Sequence, residues 1–226
     1  MRRKILKKAF IDTLPVLSGY MVLGIGFGIL LQKAGYGVFW AFLMSALIFA
    51  GSMQYVGVTL LTKMASFPMV AIATLMVNAR HLFYGVSMID KYKGAGIKKP
   101  YMIFALTDET YSLACSENYE KKEDKHLYCF LVSAMNQCYW VSGSVIGSII
   151  SKALPFETNG IEFSMTALFV TVFVEQWTST KRHLPAIIGV VASVICLIVF
   201  GRDNFLIPSM CIILVMLSVM KGRCSE

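Results

Sequence analysis

The chain has 226 residues, 57% of them hydrophobic and 15% charged, where soluble domains carry roughly 25% charged residues. So much apolar side chain over so little polar surface excludes an ordinary soluble enzyme and points to lipid as the solvent. The 21 Lys and Arg against 13 Asp and Glu give +8, yet Arg2, Arg3, Lys4, Lys7 and Lys8 crowd the start and most others separate apolar runs. The excess therefore reads as loops beside anionic lipid, and no nucleic acid is expected as a partner.

The 1–13 segment is a basic cytoplasmic start that runs into an apolar stretch without a small-residue cleavage site, so the first helix is expected to be retained. Apolar runs long enough to cross about 30 Å of hydrocarbon follow at 14–31, 38–61, 68–84, 101–115, 127–150, 161–178, 184–200 and 205–220. A segment in lipid must satisfy its own backbone, so all are read as helices. The fold class is all-α, a polytopic membrane bundle of about seven or eight transmembrane or partly re-entrant helices in one transmembrane domain, 1–226. Its connections are short, and only 90–100 (DKYKGAGIKKP) and 117–126 (ENYEKKEDKH) look like solvated surface segments.

Eight alternating spans with the N-terminus inside put 13 Lys and Arg on inner segments and 7 outside, with four lysines of 90–100 awkwardly external. Making the second and fifth segments re-entrant again gives 13 against 7, so charge sets the N-terminus inside but leaves the topology open.

FAGSMQYVGV (49–58) and SAMNQCYWVSG (133–143) each put a glutamine, Gln54 or Gln137, in a small-polar cluster within an apolar run. They suggest repeats at 14–84 and 101–178, with 184–220 as extra helices. Interrupted segments in corresponding positions are a pointer to a transporter site at the bilayer midplane.

Ionisable residues inside spans cost about 2.5–3.5 kcal/mol each on insertion scales and tend to face a cavity or a partner. Asp108 and Glu109 (LTDETY) are adjacent near the middle of the fourth run, pointing about 100° apart on a helix. One can face a cavity while the other pairs with a cation or caps a broken helix; the competing reading is a short span with interfacial carboxylates. Asn78, Arg80 and His81 (VNARHLFYG) end the third run. Arg80 either snorkels to headgroups, pairs with Asp108 or Glu109, or grips a substrate carboxylate with its planar fork. Gly51, Ser52 and Gln54, then Asn136, Gln137 and Ser142, are either packing and interhelical hydrogen bonds or a site at a broken helix. Gly24 and Gly28 satisfy the small-xxx-small rule for close helix approach. No nucleotide loop follows a strand, and Glu175 and Trp177 look like an interfacial boundary. Six cysteines without a CxxC pair and three scattered histidines predict no disulfide, metal or cofactor.

LPVLSGYMVLGIGFG, FAGSMQYV, VNARHLFYG and LTDE, in this order, resemble the AzlC family of bacterial branched-chain amino acid permeases. The likeness runs from about Thr13 to Lys221, although AGSMQY stands where the family more often shows a pattern like AGASQF, placing Met53 in question. The last third matches mainly in hydropathy. The resemblance implies a bacterial inner-membrane carrier that exports Leu, Ile, Val and Met as the large subunit of a two-component system with a small hydrophobic AzlD-like partner. Substrate binding is then expected at Gly51, Ser52, Gln54, Asn78, Arg80, Asn136 and Gln137, and proton coupling at Asp108 or Glu109. No Walker motif occurs, so ATP hydrolysis by this chain is not expected. An intramembrane enzyme is the competing class, though no nucleophile and base are paired within spans; a structural or sensory subunit would leave Arg80, Asp108 and Glu109 unexplained.

Overall fold

A computed structural model describes residues 2–116, 119, 121–153, 163–179, 183–205, 208–209, 212–213 and 215–216. Connection 154–162, most of the expected last span 205–220 and the side chain of Glu175 lie outside the described residues. The described secondary structure is all helical, and the chain forms two compact units, Met1–Thr166 and Ala167–Glu226.

The first unit is built on two 32-residue helices, α1 (Arg2–Lys33) and a later one whose range, Lys122–Ala153, makes it the seventh in the chain. At 1.5 Å per residue each is about 48 Å long, more than enough to cross a bilayer. They run parallel, because their contacts climb in step: Tyr128 donates to Asp12 at 2.8 Å, the Tyr20 and Trp140 rings lie 5.6 Å apart, and Ser148 donates to Gln32 at 2.8 Å. Glycines permit this approach. A Cβ at Gly28 would stand 2.0 Å from the Ser144 carbonyl oxygen, and one at Gly147 2.1 Å from that of Ile25, so the backbones themselves touch, as the small-xxx-small spacing anticipates.

Between the two rods the second apolar run is not one span. It divides into α2 (Val38–Leu47) and α3 (Gly51–Thr62), helices of about 15 and 18 Å that each reach half-way across. The break at Ile48, Phe49 and Ala50 includes a left-handed Phe49 (φ 42°), a conformation uncommon for a bulky residue. Across it Gln54 donates to Ser45 at 3.2 Å, and the Met44 methyl lies 3.8 Å from where a Gly57 Cβ would be; in a straight helix residues nine apart are about 13 Å from one another. The two arms therefore fold back on each other. The chain then returns through α4 (Phe67–Met88), opened by Pro68 in its first turn, where the missing N–H costs nothing.

The fourth run is a second folded-back pair, α5 (Lys98–Phe104) and α6 (Asp108–Ser116). Tyr101 of α5 packs on Phe130 at 5.3 Å, Thr110 of α6 accepts from Asn136 at 3.0 Å, and Lys91 reaches Cys115 at 3.2 Å. Its tip thus lies deep along α7 (Lys122–Ala153), while both of its ends return to where they began. Met102 and Ala114, from opposite arms, join Ile5, Ala9, Met88, Tyr92 and Tyr128 in one core cluster. The 90–100 connection consequently sits at the same end as the N-terminus, which corrects the alternating arrangement of eight spans. The re-entrant elements are the second and fourth runs; the fifth, the alternative at the sequence level, is the unbroken α7. The most polar long helix is central because α1, α2, α5 and α6 all pack on it, burying Ser133, Asn136, Ser144 and Ser148 among partners rather than in lipid.

The second unit contains most of α8 (Phe163–Ser179) and α9 (Leu184–Asn204). Gly201, at φ 73°, interrupts α9. Ala192 and Cys196 are buried, whereas Val194, Ile195, Ile198 and Val199 are exposed, a distribution suited to lipid and costly in water. Three described helices are long and apolar enough to cross a membrane: Arg2–Lys33, Phe67–Met88 and Leu184–Gly201.

Candidate functional site

Two folded-back pairs entering from opposite ends bring two helix N-termini, those of α3 and α6, to the same depth in the first unit. The first N–H groups of a helix lack intrahelical acceptors and carry the positive end of its dipole. An unshielded meeting of two such ends favours anions.

Arg80, two turns before the end of α4, ties them together. Its Nη2 donates to Ser52 Oγ at 2.9 Å in the first turn of α3, and its Nη1 forms an ion pair with Asp108 Oδ2, the first residue of α6. Arg80 and Asp108 are about a quarter to a third exposed, so the pair is shielded but open on one side. Arg80 Nε and the nearby-in-sequence Asn78 Oδ1 are buried with no hydrogen-bond partner among the described residues. Such groups are costly to leave unsatisfied. One helical turn further along α4, Tyr84 stacks on Tyr111 of α6 at 4.6 Å, between the ion pair and the N-terminal end of the unit.

Glu109 does not share the arginine. Its Oε2 receives the Tyr20 hydroxyl of α1 at 2.5 Å, and the same hydroxyl lies 2.9 Å from Thr107 Oγ1. Thr107 in turn accepts the Thr110 backbone N–H at 3.3 Å, the geometry of an N-cap. The cap and the acidic first turn explain why α6 starts where it does.

The remaining expected site residues act as braces. Gln54, 1% exposed, accepts from Trp140 Nε1 at 2.8 Å and donates to Ser45, so both ends of its amide are occupied. Gly51 lies under the Trp140 indole, where a Cβ would be 2.9 Å from the ring. Gln137 accepts from the Tyr101 hydroxyl at 2.6 Å and donates to the Ala46 carbonyl at 2.9 Å, joining an arm of each folded-back pair to α7. Asn136 is fully buried and donates to Thr110, while its Oδ1 has no partner among the described residues. The structure thus brings Ser52, Arg80 and Asp108 into direct contact, sets Asn78 in the same helix as Arg80, and places Gln54, Gln137 and Gly51 in the scaffold. Tyr20, Thr107, Thr110, Ser45, Tyr101 and Trp140 join the constellation without having been singled out in the sequence. Of these only Thr107 carries a local signal, as a capping residue just before two acids.

Residues 15–154 match the family model described as AzlC protein, a stretch that runs from within α1 to the end of α7 and so contains every residue above. The branched-chain amino acid transport protein AzlC of Bacillus subtilis (strain 168) is 44% identical over 95% of this chain and 85% of its own length. An uncharacterized membrane protein of Helicobacter pylori (strain 26695) is 40% identical, covering 97% of this chain and 96% of that one. The inner membrane protein YgaZ of Escherichia coli (strain K12) is 25% identical, over 81% and 78% respectively. No solved structure matches.

Proposed function

The chain belongs to the AzlC family and is a membrane transport protein; from that premise we propose that it exports branched-chain amino acids, Leu, Ile and Val, and also Met. The observation that carries the reading is the Arg80 bridge between Ser52 and Asp108 at the meeting point of two half-helices. Broken helices whose N-termini point at a substrate carboxylate are a recurring device of secondary carriers. In this reading the carboxylate of an amino acid takes a place on the Arg80 fork beside the free N–H groups of α3, and Asp108 and Asn78 Oδ1 turn to its ammonium group. The buried Gly51, Gln54, Asn136 and Gln137 hold the two tips in register. The branched-chain substrate class is supported by the likeness to the branched-chain amino acid transport protein of Bacillus subtilis.

The chain acts as the large subunit of a secondary carrier with a small hydrophobic AzlD-like partner, in the bacterial inner membrane. Energy comes from protons through Asp108 or Glu109, since no phosphate-binding loop occurs in the sequence. The N-terminus is cytoplasmic. Twelve basic residues lie at the N-terminal end of the first unit (five at the start, Lys91, Lys93, Lys98, Lys99, Lys121, Lys122 and Lys125), against Lys33, Lys63 and Lys152 at the other, the bias that retains an end inside. The test is efflux of labelled leucine, isoleucine, valine and methionine from preloaded cells expressing the chain alone, with the small subunit, or neither. Faster efflux with the pair, abolished in Arg80→Ala, is the expected result; identical efflux in all three overturns the proposal.

A further inference from the structure

Two carboxylates stand side by side at the start of α6, yet the structure gives them different work. Asp108 is bound to the Arg80 guanidinium, and a proton placed there would break a charge-assisted pair. Tyr84 also hydrogen-bonds Asp108, whereas Glu109 receives the Tyr20 phenol at 2.5 Å and, among the described residues, forms no ion pair with Arg80. Tyr20 has one hydrogen and two acceptors in reach, Glu109 Oε2 and Thr107 Oγ1 at 2.9 Å.

That geometry admits two arrangements. With Glu109 charged, the Tyr20 hydrogen points to the carboxylate. With Glu109 protonated, the acid donates to Tyr20 Oη and the Tyr20 hydrogen turns to Thr107. Thr107 caps α6 and donates to Thr110 Oγ1 at 3.1 Å, so the second arrangement adds a donor at the very residue that fixes the tip of this folded-back pair. The tip carries Asp108, and Asp108 holds Arg80.

We propose that Glu109, and not Asp108, takes up and releases the coupling proton, and that Tyr20 relays its state to the tip holding the substrate arginine. The inference rests on the transport reading above. One O–H bond forms on Glu109 at the expense of hydronium at one membrane face, and the reverse exchange returns the proton to water at the other. The titratable groups that interact with Glu109 are Tyr20 from α1 and His81 from α4, while Arg80 and Tyr84 of α4 face its neighbour Asp108. Among the described residues α7 meets the network with neutral groups, the Asn136 amide through Thr110 and the Trp140 ring on Tyr20. His81 is therefore the competitor that the experiment must include.

The chain and its small partner are reconstituted in liposomes containing a pH-sensitive dye, and protons moved per labelled leucine are measured for wild type, Glu109→Gln, Tyr20→Phe, Asp108→Asn and His81→Gln. Glu109→Gln should lower the ratio about ten-fold or more with leucine exchange still measurable. Tyr20→Phe should keep the ratio but change the pH profile of transport, since the carboxylate loses the hydroxyl that links it to the tip. Asp108→Asn should depress leucine flux without changing the ratio. An unchanged ratio in Glu109→Gln, a ratio abolished by Asp108→Asn or His81→Gln, or leucine flux without proton movement in wild type overturns the inference. Wild type without any leucine exchange instead overturns the transport reading beneath it. If Glu109→Gln shows no flux at all, Tyr20→Phe decides, and an unshifted pH profile sinks the idea.

Discussion

Replacing Arg80 by lysine keeps a positive charge on α4 but leaves one nitrogen where two are anchored, one on Ser52 at 2.9 Å and one on Asp108. A compact ammonium cannot span both helix tips or present parallel donors to a carboxylate. Losing one hydrogen bond to a charged group costs about 1.5–3 kcal/mol, which is roughly a ten- to 150-fold loss of apparent affinity. Partial exposure of the pair favours the lower end. The assay is competition of unlabelled leucine, and of isoamylamine, which lacks the carboxylate, against labelled leucine in membrane vesicles. Leucine should weaken by at least about ten-fold and the amine far less, with the amount of inserted protein unchanged. Equal weakening of both ligands, or unchanged transport, would show that Arg80 anchors the helix tips and does not meet substrate.

Gly28→Ala should lower the thermal midpoint of the purified protein, because the new methyl meets the Ser144 carbonyl oxygen at 2.0 Å and overpacking costs about 1–3 kcal/mol; an unchanged midpoint would deny the backbone contact of α1 with α7. Gln137→Met strands the Tyr101 hydroxyl and the Ala46 carbonyl, a loss of about 1–3 kcal/mol. Adding Tyr101→Phe should return part of that stability, and strict additivity would mean that no bridge exists. In a cysteine-free background, Arg3→Cys and Lys93→Cys should behave alike towards an impermeant thiol reagent applied to intact cells, and Lys63→Cys oppositely. Matching behaviour of Arg3→Cys and Lys63→Cys would refute the folded-back second run.

The apolar runs and the all-helical class were legible in composition and run length, which respond to lipid directly. The folding back of the second run stood in the sequence as one of two topologies with equal charge counts, and nothing local decided between them. Residues 38–61 are as long as a span and stay apolar through Phe49 and Ala50, and the contacts that betray the bend, Gln54 with Ser45 and Met44 with Gly57, depend on tertiary packing. The fourth run carries a better trace, since Thr107, Asp108 and Glu109 together have the pattern of a helix start. Polar residues misled in the fifth run. Asn136 and Gln137 looked like an interruption, yet α7 is continuous because neighbouring helices supply Thr110, Tyr101 and Ala46 as partners. Arg80 and Asp108 stood out by cost alone, whereas Tyr20 could not, because a tyrosine in an apolar run looks ordinary until its hydroxyl is seen on Glu109.

The two folded-back pairs also divide the electric field across the membrane. Their arms hold 10 and 12 residues on one side and 7 and 9 on the other, so the tips sit near mid-depth, with a comparable thickness of helix towards either water phase. A full crossing of one charge is worth about 2.3 kcal/mol per 100 mV, and a charge stopping at the tips feels roughly half of that in each stage. A proton halting on Glu109 would therefore make both its arrival and its departure voltage-sensitive to a similar, modest degree. A zwitterionic amino acid held beside it, neutral overall, would add nothing to either step, so in the proposed cycle the membrane potential would act through the proton.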